Sequence, residues 1–303
     1  MLSGTVLQGL GGVYEVQTPA GVVEAVLRGR IKRDERTGAK VVVGDRVDVE
    51  QDRAGEETVW AIVNVHDRTT VLARRAPGKA PRPKAIVANV DQVLIVFAAA
   101  HPDPHLRMLD RFLVIAADSD IAPLIIVNKT DRVGMDAARA TFGAYERAGY
   151  PVLYTSAKQN QGVGEVRDAL CGRLSALMGP SGVGKSSLLN GVQPGLGLRV
   201  AAVSEAVNKG RHTTVTAQLI PLECGGWVAD TPGLRELGLW QVEPDQLQFY
   251  FPEFEPLLGG CRYPTCTHTH EPGCAVHAAA QAGQIDFNRY DSYRRMFLGE
   301  DEE

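Results

Sequence analysis

The chain is 303 residues long, 44% hydrophobic and formally −4 at pH 7. That length predicts two or three domains with ordinary cores, and the acidic balance excludes indiscriminate nucleic-acid binding, so any RNA contact has to be local. No basic-plus-apolar leader opens the chain, and the longest apolar runs, such as Val93 to Ala100, are too short to span a bilayer; a cytoplasmic protein without membrane contact is expected.

Apolar segments recur through the first 70 residues: Gly12 to Val16, Val22 to Leu27, Val41 to Val43, Arg46 to Val49 and Val59 to Val65. Five short strands separated by Gly-Asp and Thr-Pro turns predict a small β-barrel, and both an SH3-like barrel and an OB-fold suit the pattern. Arg28, Arg30, Lys32 and Arg33 crowd one connection, while Arg68, Arg74, Arg75, Lys79, Arg82 and Lys84 fill a Pro-containing linker. A solvated loop accounts for such composition equally well. Against the acidic balance, these two clusters are the RNA candidates.

The segment Ile86 to Leu94 opens a second domain, in which strands alternate with helical stretches such as Met135 to Ala148 and Glu165 to Leu174. Alternation of this kind predicts a parallel α/β sheet covered on both faces. The apolar run Ile121 to Val127 reads as a buried strand and ends in Asn128-Lys129-Thr130-Asp131. A carboxylate at Asp131 can accept from both N1–H and the exocyclic amine of guanine, which adenine does not offer in that arrangement, so the acid would discriminate strongly. Asn128 is expected at N7 and the Lys129 stem over the base plane. A second strand, Pro151 to Tyr154, delivers Ser156-Ala157-Lys158, whose Ala157 N–H is placed to meet guanine O6.

The strand Leu174 to Met178 then leads into Gly179-Pro180-Ser181-Gly182-Val183-Gly184-Lys185-Ser186, followed by Ser187-Leu188-Leu189-Asn190 opening a helix. In this GxxxxGKS loop, glycines let backbone N–H groups face phosphate oxygens, Lys185 neutralises the outer phosphates, and Ser186 can ligate Mg²⁺. Polar segment Asn208 to Thr214 follows, with Thr213 or Thr214 as a second hydroxyl ligand. After Trp227 to Ala229 comes Asp230-Thr231-Pro232-Gly233, where Asp230 can hold Mg²⁺ through water and the Gly233 N–H can meet a γ-phosphate. Leu234 stands where ordinary small GTPases carry a water-orienting Gln, leaving His212 as the candidate catalytic residue, with a plain loop histidine as the other reading. The base motifs therefore precede the phosphate loop, which is a guanine-nucleotide site in permuted order.

Near the C-terminus, Cys261, Cys266, His268 and Cys274 offer three thiols and an imidazole within 14 residues, a set suited to tetrahedral Zn²⁺, with His270 and His277 as competing donors. Cys171 and Cys224 lie apart from this cluster and are read as structural; the odd count of five, with three packed between Cys261 and Cys274, suggests metal ligation rather than disulfides.

This ordered set, with GPSGVGKSSLLN, KGRHTT, DTPGL and CRYPTCTHTHEPGCAV, resembles the ribosome small-subunit-dependent GTPases of the RsgA (YjeQ) family over nearly the whole chain. The resemblance implies a multi-domain chain: an OB-fold RNA-binding barrel (1–70), a circularly permuted P-loop GTPase domain (71–238) and a zinc-binding domain (239–303). It also implies Cys261, Cys266, His268 and Cys274 as ligands of one Zn²⁺ per chain. GTP and GDP, the small ribosomal subunit and its rRNA are the implied partners of a monomeric, Mg²⁺-dependent GTP hydrolase acting in late small-subunit maturation. The alternative is a nucleotide-sensing RNA-binding assembly protein in which hydrolysis is incidental.

Overall fold

The computed structural model describes residues 1–29, 31, 40–54, 57–75, 83–196, 217–230 and 242–300. Strands β1 (Leu2–Leu10), β2 (Val13–Thr18) and β3 (Gly21–Leu27) form a meander, and β4 (Arg46–Ala54) and β5 (Glu57–Val65) a hairpin. Their order, β1-β2-β3-β5-β4, closes when β4 pairs back onto β1, with β3 and β5 parallel. This closed five-stranded barrel is the OB arrangement that the resemblance implied. Alternation along β2 turns Tyr14, Val16 and Thr18 inward, where the first two meet Val6, Val47, Val49 and Ile62. Bulges at Val6/Gln8 and Asp48/Val49 supply curvature for closure.

Three expectations for this region are corrected. The first strand is Leu2–Leu10, which the apolar pattern hid because Gly4 and Gly9 interrupt it; a Cβ on Gly4 would lie 2.4 Å from the Gln17 carbonyl. Val41 to Val43 is not a strand: Val43 makes one isolated bridge to Val87, and the Val42 N–H caps onto Asp45. The supposed linker contains a hairpin, β6 (Val71–Arg75) and β7 (Pro83–Ala88), so Ile86 to Leu94 divides at Asn89 before β8 (Gln92–Ala98). Arg68 grips the fully buried Asp45 at 2.7 Å, and Arg28 pairs with Glu50 and Asp52 across the barrel surface. Arg68 is thereby held by Asp45 and by the Lys40 carbonyl, which its Nη2 meets at 2.7 Å. Arg30, Lys32, Arg33, Lys79 and Arg82 lie outside the described residues.

Further along come α1 (Leu106–Asp118), β9 (Ala122–Asn128), α2 (Met135–Arg147), β10 (Val152–Tyr154), α3 (Val163–Leu170), β11 (Leu174–Met178) and α4 (Lys185–Val192). They are followed by β12 (Gln218–Pro221), β13 (Trp227–Asp230), α5 (Ala275–Gln281) and α6 (Phe287–Leu298). The helix expected to reach Leu174 stops at Leu170, because Gly172 takes a positive φ of 70° and Leu174 already begins a strand. Every residue of β8 is buried, which explains its uninterrupted apolar run. Among the described residues no helix is long and apolar enough to cross a membrane.

The chain divides into two compact units. One comprises Met1–Leu94, Gly164–Met178 and Leu189–Leu237, with strand order β11-β13-β12-β1-β2-β3-β5-β4. Within it β11 and β13 are parallel, and Cys171 and Cys224, read as structural, are joined by a disulfide, which corrects the expectation of metal ligation rather than disulfides. The other comprises Ile95–Val163, Gly179–Leu188 and Gly238–Glu303, where β9 and β10 pair in parallel. In this second unit the C-terminal segment packs on α1 around Val114, Phe251, Phe254, Tyr290 and Tyr293. Arg289, 2% exposed, bridges Asp110 at 2.7 Å and Glu253 at 2.8 Å beneath the Phe251 ring.

Candidate nucleotide site and metal centre

Strand β9 ends where Lys129 takes a left-handed conformation (φ 63°), which breaks the strand and starts a 3-10 turn over Thr130–Arg132. Asn128, 1% exposed, is the tie between three loops. Its Nδ2 donates to the Val183 carbonyl (2.9 Å), and its Oδ1 accepts from the Ala157 N–H (3.1 Å) and the Thr155 hydroxyl (3.2 Å). Thr130 is buried and donates twice to the Thr155 carbonyl, from N–H and hydroxyl, so it fastens the turn to the neighbouring strand end. Asp131 accepts from the Ser156 hydroxyl at 2.6 Å, with Arg132 Nε 4.0 Å away. Ser156 and Gln161 bridge to close their loop, and Lys158 stands exposed on it. Gly162 (φ 68°) completes the turn where a Cβ would lie 2.4 Å from the Tyr154 carbonyl.

The phosphate loop lies against this base end. Gly184 (φ 97°) passes so close that a Cβ would fall 2.4 Å from Asn128 Nδ2, and a Cβ on Gly179 (φ 134°) would fall 2.1 Å from the Val96 carbonyl. Both positions exclude larger residues by contact and by conformation. Val183 is buried as the anchor of the loop, while Ser181 and Gly182 are exposed and Pro180, Ser186 and Ser187 half-buried. Lys185 Nζ donates to the Gly179 and Pro180 carbonyls at 2.7 and 2.6 Å. Lys129 reaches the same loop, donating to the carbonyls of Gly182 (2.6 Å) and His101; desolvation, then the charge of Arg132, lower its pKa despite Asp131. Asp230 closes β13, paired with Gln218. His212, Thr213, Thr214, Gly233 and Leu234 lie outside the described residues.

In the C-terminal segment the donor atoms of Cys261, Cys266, His268 and Cys274 all lie within 4.8 Å of one another. His268 presents Nδ1 to Cys274 Sγ (3.4 Å) and Cys261 Sγ (3.5 Å), while Nε2 pairs with Gln248 Oε1 (2.9 Å). An amide oxygen accepts only, so Gln248 places the proton on Nε2 and leaves the Nδ1 lone pair facing the sulfurs. Backbone N–H groups of Ala275 and His277 point at Cys261 and Cys274 sulfur, each at 3.3 Å. Burial pushes the Cys266 thiol up to about 12 and raises Cys274 too, so thiolates here require a cation among them. The donor set suits zinc. His270 instead bonds Thr269 and His277 stacks on Tyr290, so neither competing histidine joins the cluster.

The family model described as RsgA GTPase matches residues 65–240, and that for the RsgA N-terminal domain matches residues 3–59. The chain is 54% identical over 295 residues to the small ribosomal subunit biogenesis GTPase RsgA of Gemmatimonas aurantiaca, covering 97% of this chain and 96% of that one. The chain belongs to the RsgA GTPase family. The protein of the same name from Moorella thermoacetica is 45% identical over 299 residues, covering 99% and 97% of the two chains. Among solved structures, YjeQ from Thermotoga maritima matches with a TM-score of 0.81 at 34% identity over 98% of each chain. YloQ, described as a circularly permuted GTPase, matches at 0.77 and 28% identity over 100% of this chain and 96% of that one. As an RsgA-family member the chain is a GTP-hydrolysing enzyme whose nucleotide chemistry uses Mg²⁺, and its Cys3His cluster can hold zinc.

Sequence reasoning missed Thr155, Val183 as an acceptor, Gly162 and Gln248. Thr155 carried a faint signal, as a hydroxyl between an apolar strand and a site motif. Gln248, 20 residues before His268, carried none.

Proposed function

We propose that this protein hydrolyses GTP to GDP and phosphate on the small ribosomal subunit, as a cytoplasmic monomer that checks late subunit maturation. The observation that carries the nucleotide part is the Asn128 side chain, which holds the base loop, the Ser156 to Lys158 loop and the phosphate loop together. The names of the relatives support the ribosomal part.

In this reading Asp131, oriented by Ser156, accepts the two guanine donors, and Asn128 borders N7. The Ala157 N–H reaches O6 by leaving Asn128 Oδ1. Lys129 flanks the base, and Gly179 to Ser187 surround the phosphates. Lys185 exchanges the Gly179 and Pro180 carbonyls for phosphate oxygens, gaining charge-assisted bonds. Mg²⁺ would neutralise charge building on the phosphates. Ser186 offers it a hard oxygen; Asp230 and Thr213 or Thr214 are proposed beside it from sequence, as are Gly233 at the γ-phosphate and His212 at the attacking water. Cys261, Cys266, His268 and Cys274 would hold one Zn²⁺, and the barrel, residues 1–70, would contact rRNA.

GTP turnover measured with and without purified small subunits tests the reading. Slow turnover alone, raised by orders of magnitude with subunits, is expected. Turnover indifferent to subunits would sink the ribosomal reading, and none under either condition would sink the catalytic one.

A further inference from the structure

The five cysteines divide into three around the metal centre and two in a disulfide on the barrel-containing unit. Cys171 follows α3 and Cys224 lies in the turn between β12 and β13. Their closeness is imposed by the backbone. The Trp227 N–H donates to the Arg173 carbonyl at 2.8 Å, and a Cβ on Gly226 would stand 2.1 Å from the Leu170 carbonyl. Two turns thus pass in direct backbone contact, and the cysteine Cα atoms face each other at 5.2 Å, inside the range a disulfide spans without rearrangement. Cys224 is exposed and Cys171 half-buried, so a small molecule reaches the first sulfur before the second.

We propose that Cys171 and Cys224 form a reversible oxidation site that exchanges with small-molecule disulfides. The Cys224 thiolate attacks one sulfur of the small disulfide, expels one small thiolate and forms a mixed disulfide. The Cys171 thiolate then attacks the Cys224 sulfur and expels the second small thiolate. Two protein thiols lose two protons and two electrons, and one small disulfide becomes two thiols. The bond closes a sequence separation of 53 and ties together the turns that precede β11 and β13, strands paired in register from Leu174 and Trp227. Those strands run on to the phosphate loop and to Asp230. The oxidised form therefore resists separation of the two strands, and the bond itself lies at their starts and not at the ends that lead into the phosphate loop and Asp230.

The full-length zinc-loaded protein, equilibrated in oxidised or reduced glutathione, denatured and alkylated, provides the test. Five reactive thiols are expected after reduction and three after oxidation, with Cys171 and Cys224 recovered as one linked peptide. Oxidation should raise the melting temperature by at least about 5 °C and leave guanine-nucleotide affinity unchanged. Cys224→Ser, and independently Cys171→Ala, should abolish the shift. Five free thiols in oxidised glutathione, loss of thiols mapping to Cys261, Cys266 or Cys274, or a bond that leaves the melting temperature in place would each overturn the proposal.

Discussion

Arg289→Ala removes the one guanidinium shared by Asp110 and Glu253 in the interior of the second unit. Burial pushes the Asp110 carboxyl up, and the Arg289 charge with hydrogen bonds from Ser292 and Tyr145 opposes that rise. Without the arginine, two carboxylates that are 2% and 10% exposed in their side chains lose their counter-charge, and the Phe251 ring loses the cation 4.6 Å from its centroid. Breaking a buried pair in this way costs about 3–5 kcal/mol. Because the network binds α6 to α1 and α2, the loss should appear as roughly a hundredfold or greater acceleration of amide exchange in α1 and α6. Exchange resolved by residue reads this without requiring the whole chain to unfold together. Triple replacement of Arg289, Asp110 and Glu253 by Met, Leu and Met should recover much of the protection, since no charge is then left unpaired. Unchanged exchange in Arg289→Ala would refute the argument, and a triple variant as poor as the single one would show that packing, not charge pairing, holds these helices.

Other expectations follow from the same geometry. Asp131→Asn should weaken GTP and strengthen xanthosine triphosphate, whose C2 carbonyl accepts from an amide; equal GTP binding in a competition titration would count against that role. Gly184→Ala should lower nucleotide affinity at least tenfold without lowering zinc content, because the new methyl would meet Asn128 Nδ2; isothermal titration and metal analysis check the two halves. Gln248→Leu should weaken zinc retention against a chelator by about 10–100-fold, as expected for loss of the group that orients a metal-bound histidine. Hydrogen bonds from Ser3, Asn64 and His66 hold the Asp48 carboxyl down at about 2. Its folded pKa is depressed, so its contribution is complete above the unfolded value near 3.8 and is lost as pH falls towards 2. Melting curves from pH 5 to 2 should therefore fall less steeply for Asp48→Asn than for the parent, and parallel curves would contradict the assignment.

The motifs were legible because reading guanine and phosphate demands particular side chains in contiguous runs, and the strands that carry them, Ala122–Asn128 and Leu174–Met178, are apolar enough to be found by pattern. The internal ties were not. Asn128 meets Val183 at a separation of 55 residues, and Cys171 meets Cys224 at 53, distances over which pairing is decided by packing. The first strand escaped because Gly4 and Gly9, required where Gln17 and Tyr14 approach, remove the apolar alternation that marks a strand. Val41 to Val43 misled in the opposite sense: Val41 and Val43 are buried by the packing of a loop, which burial pattern alone does not separate from a ladder. His270 and His277 were separable from His268 solely by where their rings turn.

Asn128 and Lys185 differ in what an arriving nucleotide asks of them. On the proposed reading the Asn128 bond to Val183 and its acceptance from Thr155 would stay in place when a purine binds, while the Ala157 N–H alone would leave Asn128 Oδ1. Lys185 has its ammonium on the loop's own carbonyls and, on the same reading, would exchange them for an anion. It is then the phosphate chain that would draw Lys185 off these carbonyls. A nucleoside without phosphates would leave Lys185 where it is and is expected to bind more weakly than GDP or GTP.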